Sequence, residues 1–445
     1  MSSLLEDGSR IGVIGGGPAG SLFSYFALLF AERLDLDLRV DIYESRDFSK
    51  SGLDGCNRCG GVVSESLIQA MALEGINLPS TVVQRGIDSY ILHTKDSNVR
   101  LDTPRMEKRI AAVHRGGGPT EGCRVAWGGL DGYLLDLACQ KGATVVRAGV
   151  NKVGRCGGRP QVYLDQSTQT YDLLVGATGV NSAGRQIFED LGFQSRHPKT
   201  TQAYITELDL GQEAISKYFS SSVHVFLLDL PHLNVVSVIP KGRFVTVCLL
   251  GQGLDQGLVD AFFKTEAVRQ CFPDTWRLGE GLCQCSPKIN VGGVTRPFKD
   301  RVVLIGDCGV TRLYKDGIGT AYRTAKTAAR TAIFGGVSAK DFEKHYLPIC
   351  GKIIRDNRFG SLIFAFVHLI KHLSPVLRGT LAMVAREQRG TGIPRPMSTV
   401  LWDLFSGSAP YREVFSRTME PRFVGRLIWE SARSMGRGRK KRGER

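Results

Sequence analysis

The chain has 445 residues, 42% of them hydrophobic and 23% charged. That excludes wholesale disorder and points to two or three domains instead of one ordinary core. Lys and Arg number 58 against 43 Asp and Glu, a net charge of +15, which draws anions such as nucleotide phosphates and acidic membrane surfaces. The 11 cysteines are odd in number and scattered, which excludes a small disulfide scaffold and predicts a reducing cytoplasm.

Residues 1–10 contain no apolar signal core. Residues 10–14 read as a buried strand, 18–33 as a helix and 39–44 as a second strand, a β-α-β unit with a glycine turn at its first bend. A loop rich in Gly and Cys follows at 51–61, then a helix at 65–74. Residues 89–102 read as a hairpin around Lys95-Asp96-Ser97-Asn98. A helix over 130–141 leads to strands at 144–147, 162–164 and 172–177. Residues 200–251 are strand-rich, with a turn at Lys241-Gly242, and 258–270 read as a helix. The buried-strand pattern returns at 301–305 and a helix follows over 317–332. From 339 onward the pattern is helical, without a repeat.

Gly15-Gly16-Gly17-Pro18-Ala19-Gly20 fits G-x-G-x-x-G between a strand and a helix. Gly15 suits the tight turn, Gly17 lets the backbone approach a pyrophosphate, and Gly20 allows close helix–strand packing. Glu44 ends the next strand, where a carboxylate accepts hydrogen bonds from a ribose. A second signal lies some 290 residues on, where residues 301–305 run into Gly306-Asp307.

The pair of motifs resembles the two FAD fingerprints of the p-hydroxybenzoate-hydroxylase-like flavoproteins. The resemblance implies FAD as cofactor, with Asp307 on the ribityl chain and Gly317, Ile318 and Gly319 presenting amides to the flavin pyrimidine. Lys315 is either a cation that favours the reduced flavin anion or a solvated loop residue, and Arg312 and Arg323 share that ambiguity. The stretch 171–179 resembles the family's central strand, with Thr178 where Asp is usual, a departure that argues against NADPH-driven hydroxylation. Residues 130–138 resemble the helix after the flavin-contacting Arg. That makes Arg124 the candidate for the contact, with a plain surface Arg as the alternative.

Gly55-Cys56-Asn57-Arg58-Cys59-Gly60-Gly61 resembles the Cys-Gly-Gly loop of the geranylgeranyl reductases, which implies a thiol beside the isoalloxazine. Cys59 is then the candidate proton donor; the alternatives are half of a metal site or inert thiols. The other close pair, Cys283-x-Cys285, is poorly spaced for zinc, and no metal is expected. Residues 231–240 (PHLNVVSVIP) lie where those reductases carry an aromatic-rich, proline-ended strand that lines the prenyl pocket; the proline ends remain, but Val235 and Ser237 stand at wall positions in place of aromatics. Gly60, Gly61, Val235, Ser237 and Pro240 are therefore the candidate pocket residues. Lone histidines such as His224, His232 and His345 read as surface or core residues.

The expected fold is α/β: a Rossmann-like FAD-binding lobe, an inserted β-sheet substrate lobe and a helical C-terminal region. The expected division is 8–85, 111–199 and 296–338 for the FAD lobe, 86–110 and 200–295 for the substrate lobe, 339–432 for the helical region and 433–445 for a basic tail. The expected function is FAD-dependent reduction of carbon–carbon double bonds in an isoprenoid lipid or quinone side chain. The alternatives are a monooxygenase or halogenase of the same fold, or a membrane-associated quinone electron carrier. Trp127, Trp276, Trp402 and Trp429 form no Trp-x-Trp-x-Ile motif of the halogenases. NAD(P)H, a ferredoxin or a quinol is the expected electron donor. Leu362, Ile363, Phe366, Leu369 and Ile370, with Lys371, Arg378, Arg386 and the basic tail, suit peripheral contact with the inner face of a membrane. The alternative is packing within the domain and a solvated tail. Nucleic acid is not favoured.

Overall fold

A computed structural model describes all residues except 1–3, 57, 96, 105–109, 120–128, 181–182, 194–199, 275, 277–282, 391–393 and 444–445. The chain divides into two compact units, one of Met1–Cys59, His114–Thr201 and Lys288–Arg355, the other of Gly60–Val113, Gln202–Pro287 and Asp356–Arg445.

In the first unit a sheet runs in the strand order Phe298–Lys299, Val302–Leu304, Leu173–Gly176, Ser9–Ile14, Leu38–Tyr43, Thr144–Val146. Every pair is parallel except the outermost one at Phe298–Lys299. The continuous apolar runs seen in the sequence follow from this, because a parallel sheet is covered on both faces. Ser9–Ile14 is flanked by Leu38–Tyr43 on one side and Leu173–Gly176 on the other. That reversal of strand order opens a crevice at the carboxyl ends of the strands, where dinucleotides bind in such folds. The helices Pro18–Glu32 and Gly317–Phe334 pack together in this unit, with Phe26 edge-on to Tyr322 at 5.6 Å.

In the second unit a sheet runs in the order Cys283–Cys285, Thr200–Asp209, Phe244–Gly251, Leu233–Lys241, Ser222–Leu227, Ser89–Thr94, Asn98–Asp102. One face buries a core that includes Phe219, Phe226, Phe262, Phe263 and Phe272, with Val236, Val238, Val245, Val247 and Leu249. Side chains alternate between faces with a period of two, so Val235, Ser237 and Ile239 point the other way. The helix expected over 258–270 is two, Gln256–Lys264 and Glu266–Arg269, broken at Thr265, whose ψ of 132° is extended.

The boundary between lobes falls after Cys59, not after residue 85, because Val62–Val63 and Val83–Ile87 both pair with Ile110–Val113 in a small sheet of the second unit. The C-terminal helix Pro421–Gly443 runs through the position where a tail was expected to begin. No single helix among the described residues is long and apolar enough to cross a membrane.

Candidate active site

The first strand turns at Gly15, with φ of 105°, where a Cβ would stand 2.5 Å from Ala177 O. A Cβ on Gly20 would meet Gly15 O at 1.8 Å, so only glycine lets the helix begin this close to the strand. The first turn of that helix carries Pro18 and no acidic side chain. Its unpaired amides and partial positive charge are open to an anionic phosphate. Glu44 is 4% exposed. It accepts Gly16 N on Oε2 at 2.9 Å and Arg46 N on Oε1 at 3.0 Å. The Arg46 guanidinium also bonds the carboxylate but is 38% exposed, so a ribose diol could take its place.

Gly306 has φ of 57°, and a Cβ there would come within 2.9 Å of Ala19 Cβ. This approach brings Asp307 to the glycine turn. Burial pushes the Asp307 carboxyl up, while a hydrogen bond from Thr311 and the charge of Arg115 pull it down. Beyond it, Tyr314 and Asp316 both hold left-handed backbone, with φ of 60° and 59°. Asp316 Oδ2 accepts from Arg323 at 2.6 Å and Arg312 at 3.5 Å, so these arginines clamp a loop aspartate. Lys315 is half-buried between these strained residues. Gly317, Ile318 and Gly319 open the next helix, and a Cβ on Gly319 would strike Asp316 Oδ1 at 2.0 Å. These features fit the pyrophosphate, ribose and flavin contacts of an FAD.

The loop before Cys59 packs backbone to backbone on residues 114–117. A Cβ on Gly116 would lie 2.3 Å from Gly55 O, and one on Gly117 would lie 2.2 Å from Ser49 O. Cys56 and Cys59 are half-buried thiols, and Cys56 Sγ accepts from Arg58 N at 3.2 Å. Beside them sits Arg115. Its Nε and Nη2 donate to Asp131 Oδ1 and Oδ2 at 2.6 and 3.0 Å, and both side chains are buried. Burial opposes its charge, but Asp131, Cys59 and Cys56 outweigh that and raise its pKa. Sequence reasoning missed Arg115; the one signal was the run Arg115-Gly-Gly-Gly118 directly after a buried strand. Arg124, the expected flavin contact, lies outside the described residues.

In the second unit, a Cβ on Gly60 would meet Cys248 Sγ at 3.0 Å and Ile239 Cδ1 at 3.3 Å, and one on Gly61 would meet Lys241 Nζ at 3.0 Å. Ser237 is paired directly with Cys248 across the strands, and Val235 with Leu250. These four half-buried side chains, three apolar and one a serine, share one face of the sheet. Pro240 is buried on the opposite parity, with Val236 and Val238, and does not join it. Lys241, expected as a turn residue, is 1% exposed and paired with Glu207 Oε1 at 3.4 Å.

No family model matches the chain. Kynurenine 3-monooxygenase of Salinispora arenicola (strain CNS-205) is 26% identical over 342 residues, 70% of this chain and 70% of its own. Among solved structures, a geranylgeranyl bacteriochlorophyll reductase-like protein from Thermoplasma acidophilum matches with a TM-score of 0.67 at 16% identity, over 93% of this chain and 99% of that one. A flavoprotein/dehydrogenase from Cytophaga hutchinsonii matches with a TM-score of 0.64 at 13% identity, over 97% and 100%. The halogenase PltM in complex with phloroglucinol and FAD matches with a TM-score of 0.60 at 13% identity, over 96% of each chain. The fold is therefore that of the FAD-dependent oxidoreductases and halogenases.

Proposed function

We propose that this chain is an FAD-dependent oxidoreductase that reduces carbon–carbon double bonds in an isoprenoid-type lipid or quinone side chain. The observation that carries this reading is the thiol pair Cys56 and Cys59, held by a glycine-packed loop in the field of buried Arg115. FAD, when bound and reduced, would supply hydride for one alkene carbon. Cys59 donates its thiol proton to the other, and Arg115 stabilises the thiolate left behind. Asp131 fixes the guanidinium in one orientation. Cys59 is half-exposed, which lets solvent return the proton. Within the second unit, the exposed parts of Val235, Cys248 and Leu250 support an apolar substrate. The reducing equivalents come from NAD(P)H, a ferredoxin or a quinol.

The second reading is a monooxygenase, favoured by the 26% identity to kynurenine 3-monooxygenase. Against it, Thr178 donates to Cys308 Sγ at 3.4 Å and offers no carboxylate where the hydroxylases use one. Anaerobically reduced, FAD-loaded protein mixed with polyprenyl lipids separates the two. Reoxidation coupled to loss of an alkene is the expected result. Oxygen-dependent hydroxylation of an aromatic, with polyprenyl lipids inert, would replace the first reading by the second.

A further inference from the structure

The second unit holds a polar cluster that the proposed reaction does not use. His93 lies on the strand Ser89–Thr94 and His224 on its parallel neighbour Ser222–Leu227. The register sets His224 opposite Ile91 and Phe226 opposite His93, so both imidazoles project from one face. Cys271 follows the short helix Glu266–Arg269. The three residues are 5%, 3% and 7% exposed. His93 Nε2 is 3.1 Å from His224 Nδ1 and 3.8 Å from Cys271 Sγ. One donor atom from each lies within 4.8 Å of the other two.

We propose that His93, His224 and Cys271 bind one soft d10 metal ion, copper(I) in preference to zinc(II). Metal–nitrogen bonds of about 2.0–2.1 Å and a metal–sulfur bond of about 2.3 Å set nitrogens roughly 3.5 Å apart and nitrogen and sulfur roughly 3.8 Å apart around a trigonal, three-ligand ion. The observed nitrogen–sulfur distance of 3.8 Å matches its edge, and the nitrogen pair at 3.1 Å opens by about 0.4 Å to reach the other. Thiolate is a soft donor and imidazole a borderline one, both suited to copper and zinc, whereas calcium and magnesium need oxygen.

The surroundings choose between the soft ions. The His93 ring stacks on Phe226 with centroids 4.4 Å apart, and Phe219 lies 4.9 Å from the His224 ring. Net charge is costly in such an apolar core. A thiolate with a monovalent ion is neutral; with a divalent ion it leaves a positive charge. No fourth His, Cys, Asp or Glu joins the cluster among the described residues, and structural zinc takes four ligands.

The test uses the untagged, FAD-loaded full chain in a Cys56→Ser/Cys59→Ser/Cys283→Ser/Cys285→Ser background, which removes both close pairs of thiols elsewhere in the chain. Copper(I) is titrated anaerobically against a chromophoric copper(I) chelator, and zinc(II) against a zinc indicator. The expected result is one copper(I) per chain, bound at least about tenfold more tightly than zinc(II) and weakened at least about tenfold by Cys271→Ser. X-ray absorption at the copper edge, which needs no further variant, is expected to show one sulfur and two imidazole nitrogens. The site is overturned by failure to bind copper(I), by binding that survives Cys271→Ser, or by a different ligand set. Tighter binding of zinc(II) overturns the choice of ion.

Discussion

Arg115 and Asp131 form a two-pronged ion pair, Nε to Oδ1 at 2.6 Å and Nη2 to Oδ2 at 3.0 Å, with the Asp131 side chain 0% exposed. The pair is both structural and electrostatic, since Arg115 also feels Cys59 and Cys56 and acts on Asp307. Removing one partner of a buried pair strands the other charge and typically costs about 3–5 kcal/mol, whereas apolar replacement of both is often near neutral. Arg115→Met is therefore expected to destabilise by about that amount, and Arg115→Met/Asp131→Leu to recover most of it. Denaturant unfolding checks both. The double variant should still lose thiolate reactivity at Cys59, measured by alkylation rate, because the cation is gone. Undiminished alkylation would remove Arg115 from the proposed chemistry.

Cys59→Ala is expected to slow alkene reduction by roughly 10²- to 10⁴-fold, the usual contribution of a general acid. FAD content and reduction of the flavin by dithionite should be unchanged. A full-rate variant would return the residue to packing.

Asp307 supplies a pH dependence with opposite signs for stability and for cofactor binding. Burial raises its carboxyl above 3.8 in the fold. Without cofactor, its contribution to stability is therefore full below the unfolded value and lost as pH rises through the raised one. In the FAD site that the resemblance implies, ribityl hydroxyls donate to this carboxylate and favour its charged form. FAD affinity should fall as pH drops through the same window, by up to about tenfold per unit of pKa difference between the free and bound states. Fluorescence titration of flavin-free protein measures this. Asp307→Asn should bind FAD more weakly but with a flatter pH profile; a profile as steep as that of the parent would exclude Asp307 as its source.

The legible part of the site was local in the chain. Gly15 to Gly20 sit between a strand and a helix, and Gly306-Asp307 follow a buried strand, so spacing and period sufficed to find them. Arg115 was hidden because its partners lie at 56, 59, 131 and 307, and only the fold assembles them. Lys241 sits beside Gly242 and reads as a turn, yet its amine is buried against Glu207. His93 and His224 are 131 positions apart, a separation no motif spans. The Thr265 break went unseen because the apolar period runs through it, whereas tertiary packing sets the backbone there.

Membrane docking is the last expectation, and it rests on exposed apolar side chains next to cations. On the helix Leu347–His372, Leu362, Phe366 and Leu369 are 56%, 56% and 53% exposed, at helical spacing. Leu373 follows at 42%, where the chain bends by 106° into the helix Ser374–Arg389. The sequence pattern is refined here: Ile363 is buried, and Lys371 is buried with Nζ on Leu233 O at 2.7 Å, so neither faces solvent. On the helix Pro421–Gly443, Ile428 and Trp429 are 64% and 65% exposed, among exposed Arg422, Arg426 and Arg433. Apolar residues with flanking arginines suit the interface of an anionic bilayer, where each cation near the surface contributes about 1 kcal/mol. The protein is expected to float with anionic vesicles at low salt and less at high salt. Leu362→Glu/Phe366→Glu and Ile428→Glu/Trp429→Glu should each reduce flotation strongly, and truncation before Ser434 should reduce it further through lost charge. If the intact protein stays with the soluble fraction at low salt, these faces serve another partner and the substrate reaches the enzyme without a membrane.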